Sequence, residues 1–284
     1  MVNTPDLAET LALQLRAQLG NFTPRVGLIL GSGLGALVAA IKVHLRISYA
    51  DCPGLFVSTI HGHKGELVFG TLSGIPLMCM NGRVHLYEGA TCLQILTPIR
   101  MMKILGCKSL IVTNAAGSLK PAWTPGTIVA IKDQINMTGI SVLAGPNAEQ
   151  YGPRFLAMEY AYDPKLRHLF HLAAQEQQLQ LEEGVYLGVM GPCYETPAEI
   201  KLYSLLGGDM VGMSTIHEVI AAHHAGLKVA GLSLITNLGA GLGHSRVNHE
   251  EVLAMAKLAG QRLQNLIVYV LQHYIPIVLE NTDF

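Results

Sequence analysis

The chain has 284 residues, of which half are hydrophobic and only 14% are charged, and this composition indicates a large buried core. Its formal net charge of −1 gives no general attraction to nucleic acid or to an anionic membrane. No apolar run reaches the roughly 20 residues of a membrane span, and the N-terminal segment lacks the apolar stretch of a signal peptide. The five cysteines include no CxxC pair, so we expect free thiols and a cytoplasmic protein.

Apolar periodicity and turn residues predict alternating helices and strands in the first half of the chain. Thr4 is a candidate N-cap for the first helix, and Ser73-Gly74 is typical of a hairpin turn. The expected helices are Pro5–Leu19, Ala36–Val43 and Leu93–Leu105, and the expected strands are Val26–Leu30, Glu66–Leu72, Ile75–Met80, Ser109–Thr113 and Thr127–Ile135.

The second half continues the alternation after a Gly- and Pro-rich segment, residues 138–160, that we expect to be an ordered loop. Thr196 and Thr215 each begin a capping-box pattern. The expected helices are Pro164–Leu179, 196–206, 215–224 and Glu250–His273, and the expected strands are Gly184–Val189, Met210–Met213 and Lys228–Ile235. These elements predict a single α/β domain over residues 1–284, with a mixed, mostly parallel sheet covered by helices on both faces.

The segment Gly82–Gly89 carries an unusual set of polar side chains after an apolar strand. If it is extended, the period of two places Arg83, His85 and Tyr87 on one face. A guanidinium, an imidazole and a phenol together suit an oxyanion with a hydroxylated group beside it. A solvated loop that carries the same residues by chance is the alternative.

A glycine-rich turn, Gly31-Ser32-Gly33-Leu34-Gly35, follows the first predicted strand. Backbone N–H groups at such a turn bind phosphate when a helix follows. The segment also fits G-x-G-x-x-A, and Asp51 follows it at about the sequence spacing of the acidic residue that contacts ribose in a dinucleotide-binding fold. A nicotinamide-dependent oxidoreductase therefore remains an alternative. A turn used only for close packing is the third interpretation, and the missing Walker lysine excludes a P-loop.

Histidine and serine motifs exclude two common classes of hydrolase. His61 and His63 have the spacing of a metal pair on a strand, but no cysteine or carboxylate cluster accompanies them, so we expect no metal. His217-Glu218 begins like H-E-x-x-H, but position 221 is Ala. The chain also has no G-x-S-x-G nucleophile elbow.

Several polar residues stand at predicted strand ends or helix starts. Asn237 ends an apolar strand, where ligands bind in sheets of this kind. The small residues Asn114–Ser118 suit either a ligand near the backbone or tight packing. Ser214 and Glu195 precede helices, so each either contacts a ligand or stabilises the helix end. His249 either caps the last helix or faces solvent.

Taken in order, these motifs resemble those of the trimeric purine nucleoside phosphorylases, of the bacterial 6-oxopurine-specific type. The resemblance spans nearly the whole chain, from Gly27 to about Leu263, and is specific because the motifs occur jointly and in the same order. They are Gly31–Gly35, His61–His63, Gly82–Gly89, Thr113–Gly117, Gly191–Thr196, Val211–Thr215, Thr236-Asn237 and Asn248–Glu251.

The resemblance implies phosphorolysis of a purine nucleoside to the free base and ribose 1-phosphate, without a metal or organic cofactor. It assigns phosphate to Ser32, His63, Arg83, His85, Ala115 and Ser214; ribose to Tyr87, Met213 and His249; and the base to Tyr194, Glu195, Val211 and Asn237. His85, Glu195 and Asn237 are its expected catalytic residues, and Glu88 is expected to orient His85. Phe155 resembles an aromatic residue that reaches into a neighbouring subunit, which implies a homotrimer.

The expected base preference follows from donors and acceptors. Asn237 can accept from a protonated N7 and donate to O6, and ionised Glu195 can accept from N1–H of a 6-oxopurine. Inosine and guanosine are therefore expected over adenosine, with xanthosine left open. The methylthioadenosine branch, which typically has Asp at the position of Asn237, is the alternative. Departures from the vertebrate pattern are Tyr194 for Phe, Cys193 for Ser, His217 for Pro and a shorter segment between residues 238 and 248.

Overall fold

A computed structural model of the protein describes residues 6–60, 64–243 and 249–275. Its strands are β1 (Val26–Leu30), β2 (Lys42–Ser48), β3 (Glu66–Leu72), β4 (Ile75–Asn81), β5 (Ser109–Ser118), β6 (Ile128–Asn136), β7 (Leu181–Gly188), β8 (Met210–Gly212) and β9 (Lys228–Leu238). Its α-helices are α1 (Leu7–Leu19), α2 (Cys92–Leu105), α3 (Pro164–Glu176), α4 (Pro197–Leu205), α5 (Ile216–His224) and α6 (His249–His273).

Within the described residues the strands form one mixed sheet in the order β2-β3-β4-β1-β5-β8-β7-β6-β9, and β9 also pairs with β5. Strands β4, β1, β5 and β9 are parallel neighbours, as are β8, β7 and β6. The two sets meet in antiparallel pairs, β5 with β8 and β6 with β9. The expected mixed sheet is confirmed, and its parallel strands bring the ends of β4, β1, β5 and β9 to one edge.

Helices cover both faces of this sheet. Strand β1 shows the arrangement: Ile29 packs in the apolar cluster formed with α1, α2 and α5, and Leu28 packs in the opposite cluster with α3 and α6. Successive side chains of a strand point to opposite faces, so a strand buried on both sides is apolar throughout. All five residues of β1 are buried. This explains why its short apolar run was predicted correctly.

The prediction of a helix over Ala36–Val43 is wrong. Only a short 3-10 helix, Gly35–Ala40, forms there, and β2 begins at Lys42. Apolar residues Val43, Leu45 and Ile47 alternate with polar ones and pair with β3 in the antiparallel direction. The alternation is a strand signal, but the small residues before it have helical propensity, and pairing with a distant strand decided the outcome.

Helix starts agree with the expectation in one case and differ in two. Thr196 caps α4, and Glu199 returns the capping-box bond, as predicted. Helix α1 is capped by Asp6, whose side chain accepts from the amide of Ala8, whereas Thr4 lies outside the described residues. Thr215 does not cap α5 with its side chain, and its φ of 72° is outside the usual range for a β-branched residue. Its hydroxyl bonds to other groups instead.

Candidate active site

A cavity lies at the edge of the sheet where β1, β5 and β9 end, beside the turn that follows β4 and the end of β8. Parallel strands of an α/β sheet present their carboxyl ends to ligands in this way. The segments after β7 and the start of α6 close its other sides. The residues that line it are Ser32, Arg83, His85, Asn114, Ala115, Ala116, Gly117, Tyr194, Glu195, Val211, Gly212, Met213, Ser214, Thr236, Asn237 and Val252.

Arg83 is the buried cation of this cavity, with 1% of its surface exposed. Its Nε donates to Glu218 Oε1 at 2.9 Å, and its Nη1 donates to Thr113 O at 2.8 Å and to Ser214 Oγ at 2.9 Å. A buried guanidinium needs such partners because an uncompensated charge is costly in a low-dielectric interior. The contacts fix the plane of the guanidinium, so its charge is held rigidly in the wall of the cavity.

The chain around Arg83 is not the extended strand that period two assumed. Strand β4 ends at Asn81, Gly82 has a φ of 106°, and a 3-10 helix forms over Leu86–Glu88. Arg83 and His85 nevertheless both line the cavity. Tyr87 stacks on the imidazole of His85, with ring centroids 4.7 Å apart. The three side chains are therefore neighbours, as expected, but a turn and a 3-10 helix bring them together instead of an extended strand.

Glu88 holds His85 in place. Its Oε1 accepts from His85 Nδ1 at 2.9 Å and from the His85 amide at 3.0 Å, while Oε2 accepts from Ser58 Oγ at 2.8 Å and from the Thr59 amide at 2.9 Å. Burial alone would raise the pKa of Glu88, but the hydrogen bonds from His85, Thr59 and Ser58 outweigh it and lower the pKa to about 2. The carboxylate is thus ionised at neutral pH and fixes the orientation of the imidazole.

We expect Glu88→Gln to lower the melting temperature at pH 7 by about 3–10 °C, because it weakens hydrogen bonds to a charged acceptor. The folded-state pKa lies below the ordinary value of 4.5, so this stabilisation is complete above pH 4.5 and is lost as the pH falls towards about 2. Thermal unfolding of the wild type and the variant across this range measures the difference, which should narrow on acidification.

Glu199→Gln is the matched control, because Glu199 is also the carboxylate of a capping box but has no histidine partner and lies on an exposed helix start. Its melting temperature should change less than that of Glu88→Gln. A difference between wild type and Glu88→Gln that stays constant from pH 7 to pH 2 would contradict the role given to the ionised carboxylate.

Asn237 and Glu195 lie in the wall of the same cavity as Arg83. Thr236 Oγ1 donates to Asn237 Oδ1 at 3.0 Å, and Asn237 Nδ2 donates to Leu238 O at 3.0 Å, so the amide is oriented by its neighbours. The register of β9 against β5 shifts here, with Ala116 opposite Ile235 and Gly117 opposite Asn237. Such irregularities re-aim a side chain.

Gly117 leaves the space that the Asn237 amide occupies, since a Cβ at this position would lie 3.1 Å from Asn237 Nδ2. Glu195 is partly buried in the loop before α4. Burial raises its pKa, as does the charge of Glu199, while a backbone hydrogen bond lowers it. A carboxyl group and a carboxamide therefore lie in the cavity that also holds the Arg83 guanidinium.

The glycine turn after β1 is shaped by contact with β5. The Gly31 amide donates to Thr113 Oγ1 at 3.0 Å, and a Cβ on Gly31 would lie 2.8 Å from the Cα of Asn114. The close approach requires glycine and places Ser32 in the cavity wall. Because only a 3-10 helix follows, and Asp51 is exposed and outside the cavity lining, the dinucleotide site expected of an oxidoreductase is not formed.

Most of the predicted site residues come together, and four of them need separate mention. Tyr87 contacts His85 but is not among the residues that line the cavity, and Phe155 lies on a different surface with 91% of its area exposed. His63 lies outside the described residues, and for His249 only the backbone, at the start of α6, is described. The residues that do line one cavity are Ser32, Arg83, His85, Ala115, Tyr194, Glu195, Val211, Met213, Ser214 and Asn237.

Sequence reasoning missed the partners that hold these residues. In the sequence, Glu218 fits a capping box and the start of a zinc motif, but in the structure it pairs with Arg83 from 135 positions away. A buried arginine does signal that a carboxylate partner exists, but a single sequence does not say which one. In the sequence, Thr113 and Asn114 are only part of a motif, and no pattern marks Val252 of α6, which also lines the cavity.

Three further findings concern metals, thiols and membranes. Among the described residues, no three His, Cys, Asp or Glu side chains lie close enough together to hold a metal ion. The five cysteines are unpaired, and Cys193, next to Tyr194, is exposed. In the same described ranges, every helix is too short or too polar to cross a bilayer.

Comparison with known proteins identifies the family of this chain. Residues 25–272 match the model of the Phosphorylase superfamily. Purine nucleoside phosphorylase 1 of Geobacillus stearothermophilus is 47% identical over 231 residues, 81% of this chain and 84% of that protein. The purine nucleoside phosphorylase of Bos taurus is 44% identical over 251 residues, 86% and 87% of the two chains.

A solved structure agrees with the same placement. The Schistosoma mansoni purine nucleoside phosphorylase in complex with inosine superposes with a TM-score of 0.89 at 38% identity, over 95% of this chain and 97% of that one. The chain therefore belongs to the purine nucleoside phosphorylase family.

Proposed function

We propose that this protein is a 6-oxopurine nucleoside phosphorylase, a pentosyltransferase that cleaves inosine and guanosine with inorganic phosphate and releases the free base and ribose 1-phosphate. The observation that carries the proposal is one cavity whose wall contains both the Arg83 guanidinium with Ser214 and the Glu195 carboxyl with Asn237. The first pair suits a phosphate dianion, and the second suits the polar edge of a 6-oxopurine.

In this reaction a phosphate oxygen attacks the anomeric carbon as the bond to the purine nitrogen breaks, through an oxocarbenium-like state. Phosphate is already an anionic nucleophile, so the proposed route needs neither an activating metal nor a covalent enzyme intermediate. Arg83, Ser214, Ser32, the Ala115 backbone and His85 would hold phosphate, with His63 closing over it. The fixed guanidinium plane keeps the nucleophile in position before the reaction begins.

The ribose would lie between the two polar ends. Tyr87, Met213 and His249 are proposed to contact it. The Tyr87 ring is held against His85 by stacking, and burial, with the charge of Glu88 and the neighbouring Tyr194, raises its pKa to about 12. Tyr87 thus remains a neutral phenol that can donate a hydrogen bond to a sugar oxygen.

Departure of the purine leaves electron density on its imidazole ring, which protonation of N7 relieves. Over the whole reaction the hydrogen phosphate ion gives up the proton that the purine gains. The Asn237 carbonyl would accept from that N7–H and its amide would donate to O6, while Glu195 would accept from N1–H. Tyr194 and Val211 would pack beside the ring. An adenine presents the opposite donors and acceptors at N1 and C6, so Asn237 favours the 6-oxopurines over adenosine or methylthioadenosine. The Schistosoma mansoni relative has been solved with inosine and also with adenosine, so this preference rests on the donors and acceptors of Asn237 and Glu195 alone.

Steady-state spectrophotometry of inosine cleavage tests the proposal. Release of hypoxanthine should depend on the concentration of added phosphate and saturate with it. Cleavage that proceeds equally without phosphate would indicate hydrolysis and would overturn the assignment of Arg83 to phosphate.

A cytoplasmic location fits the unpaired cysteines, because thiols stay reduced in that compartment.

We also propose that the protein acts as a homotrimer to which Phe155 contributes across the interface. Phe155 is 91% exposed and Tyr160 is 69% exposed in the single chain. They belong to the segment 138–160, and a second surface pocket that includes Phe155 and Met158 lies there. Large exposed apolar groups of this kind mark interaction sites.

Phe155→Ala should raise the inosine KM by about tenfold while leaving the phosphate KM nearly unchanged, if the ring covers the nucleoside end of a neighbour's cavity. Light scattering should report three copies of the chain in the wild type. Leu258→Ala is a suitable control because Leu258 is 78% exposed on α6, outside this segment. A monomer with full activity would contradict the proposal.

A further inference from the structure

Thr215 has an unusual backbone conformation next to the cavity. It is fully buried at 0% exposure, and its φ is 72°. A β-branched residue in this region is strained, and such strain persists where the surroundings require it. The conformation turns the hydroxyl away from the start of α5 and towards Arg83, Asn114 and Ser214.

The hydrogen bonds of Thr215 determine where its own proton goes. Its Oγ1 accepts from Asn114 Nδ2 at 2.9 Å and from Arg83 Nη1 at 3.3 Å. Arg83 Nη1 has two protons and three acceptors, which are Thr113 O, Ser214 Oγ and Thr215 Oγ1, so its 3.3 Å contact with Thr215 is a shared one. The Thr215 oxygen still faces N–H donors on two sides, so its own proton points elsewhere. The Ser214 Oγ, 3.1 Å away, is then the acceptor for the Thr215 proton.

The same count applies to Ser214. Its Oγ accepts from Arg83 Nη1 at 2.9 Å and, by the count above, from Thr215 at 3.1 Å. With both acceptor sites in use, its proton points away from these two neighbours. Ser214 lines the cavity, and the Tyr186 phenol, which accepts from the Ser214 amide at 3.3 Å, lies beside it. The proton of Ser214 is therefore available to a ligand in the cavity, with Tyr186 as the neighbouring acceptor. A serine without such partners would turn a lone pair towards an anion for part of the time.

We propose that Asn114 and Thr215 are positioning residues that fix the Ser214 hydroxyl as a hydrogen-bond donor to phosphate. The proposal rests on the phosphorylase function given above and deepens its phosphate end. Asn114 is 1% exposed, and its bond to Thr215 joins the middle of β5 to the start of α5 across 101 positions of sequence. A donor oriented before the ligand arrives needs no reorganisation when the anion binds.

The test is steady-state kinetics with inosine and with inorganic phosphate varied in turn. Thr215→Val keeps the branched shape and removes the hydroxyl, and it should raise the phosphate KM by about three- to tenfold. Thr215→Ser keeps the hydroxyl and should stay within about twofold of the wild type. The inosine KM should remain within about twofold in both variants, because the effect is confined to the phosphate end.

A double-mutant cycle separates positioning through Ser214 from general damage. In a Ser214→Ala background, Thr215→Val should cause no further rise in the phosphate KM, since its effect passes through the missing hydroxyl. Additive effects would overturn the proposal. Equal effects of Thr215→Ser and Thr215→Val would also overturn it, because they would assign the loss to the methyl group.

Asn114→Asp provides a second route if Thr215→Val does not fold. A carboxylate only accepts, so the Thr215 proton turns to it and Ser214 no longer receives that bond. Calorimetric titration with inorganic phosphate should show weaker binding, again only when Ser214 is present. Unchanged phosphate affinity in a folded Asn114→Asp protein would contradict the inference. A wild type that cleaves inosine without phosphate would instead overturn the proposed function.

Discussion

Replacing Arg83 with Met is expected to reduce kcat/KM for phosphate by about 10²- to 10³-fold, the range seen when one donor to a developing charge is removed. The same change should lower the free energy of unfolding by about 3–5 kcal/mol, because it leaves Glu218 as a buried charge without its partner. Arg83 and Glu218 are 1% and 6% exposed, so solvent cannot compensate the carboxylate.

The two effects can be separated. Adding Glu218→Gln to Arg83→Met removes the uncompensated charge and should restore much of the stability without restoring activity. Arg46→Met is the matched control: Arg46 also bonds a glutamate, Glu66 at 2.9 Å, but its side chain is 43% exposed. Arg46→Met should lower the free energy of unfolding by less than about 1 kcal/mol and leave kcat/KM for phosphate unchanged. If the double variant regains phosphate-dependent turnover, Arg83 serves the fold and not the phosphate.

Asn237→Asp should shift the ratio of inosine to adenosine kcat/KM towards adenosine by about 10- to 100-fold, since each mismatched buried polar group costs about 1–3 kcal/mol. Thr236 Oγ1 donates to Asn237 Oδ1 at 3.0 Å, and this bond can persist to an Asp carboxylate oxygen. The new side chain can accept from the 6-amino group of adenine, which the Asn amide cannot do through its NH₂.

Asn237→Ala controls for loss of the side chain without a change of polarity. It should lower activity on both nucleosides and leave their ratio closer to that of the wild type. Competition between inosine and adenosine in one reaction, followed by chromatography of the two bases, measures the ratio directly. An unchanged ratio in a folded Asn237→Asp protein would contradict the base-edge assignment.

Local signals predicted much of the fold. Three of these signals span only a few residues each and agree with the structure. They are the apolar run of β1, the hairpin turn between β3 and β4, and the capping box of Thr196. Strand β2 was missed because its identity depends on pairing with β3, whereas the small residues before it favour a helix. The extension of β5 to Ser118 depends likewise on β8 and β9.

In the candidate site, too, the sequence predicts local features but not contacts between distant positions. Arg83 and His85 were recognised from their spacing, and the roles given to Glu195 and Asn237 came with the family resemblance. The pairing of Arg83 with Glu218 joins positions 135 apart, and no local pattern specifies it. Thr215 fits a capping box in sequence, yet its hydroxyl bonds Asn114 and Arg83 instead, because the buried cation next to it requires acceptors.

The most direct test of the central claim identifies the sugar product of inosine cleavage. Inosine is incubated with the wild-type protein, with and without inorganic phosphate, and the products are separated by chromatography. We predict hypoxanthine and ribose 1-phosphate in equal amounts when phosphate is present and no cleavage when it is absent. Free ribose as the sugar product, at a rate independent of phosphate, would contradict the account.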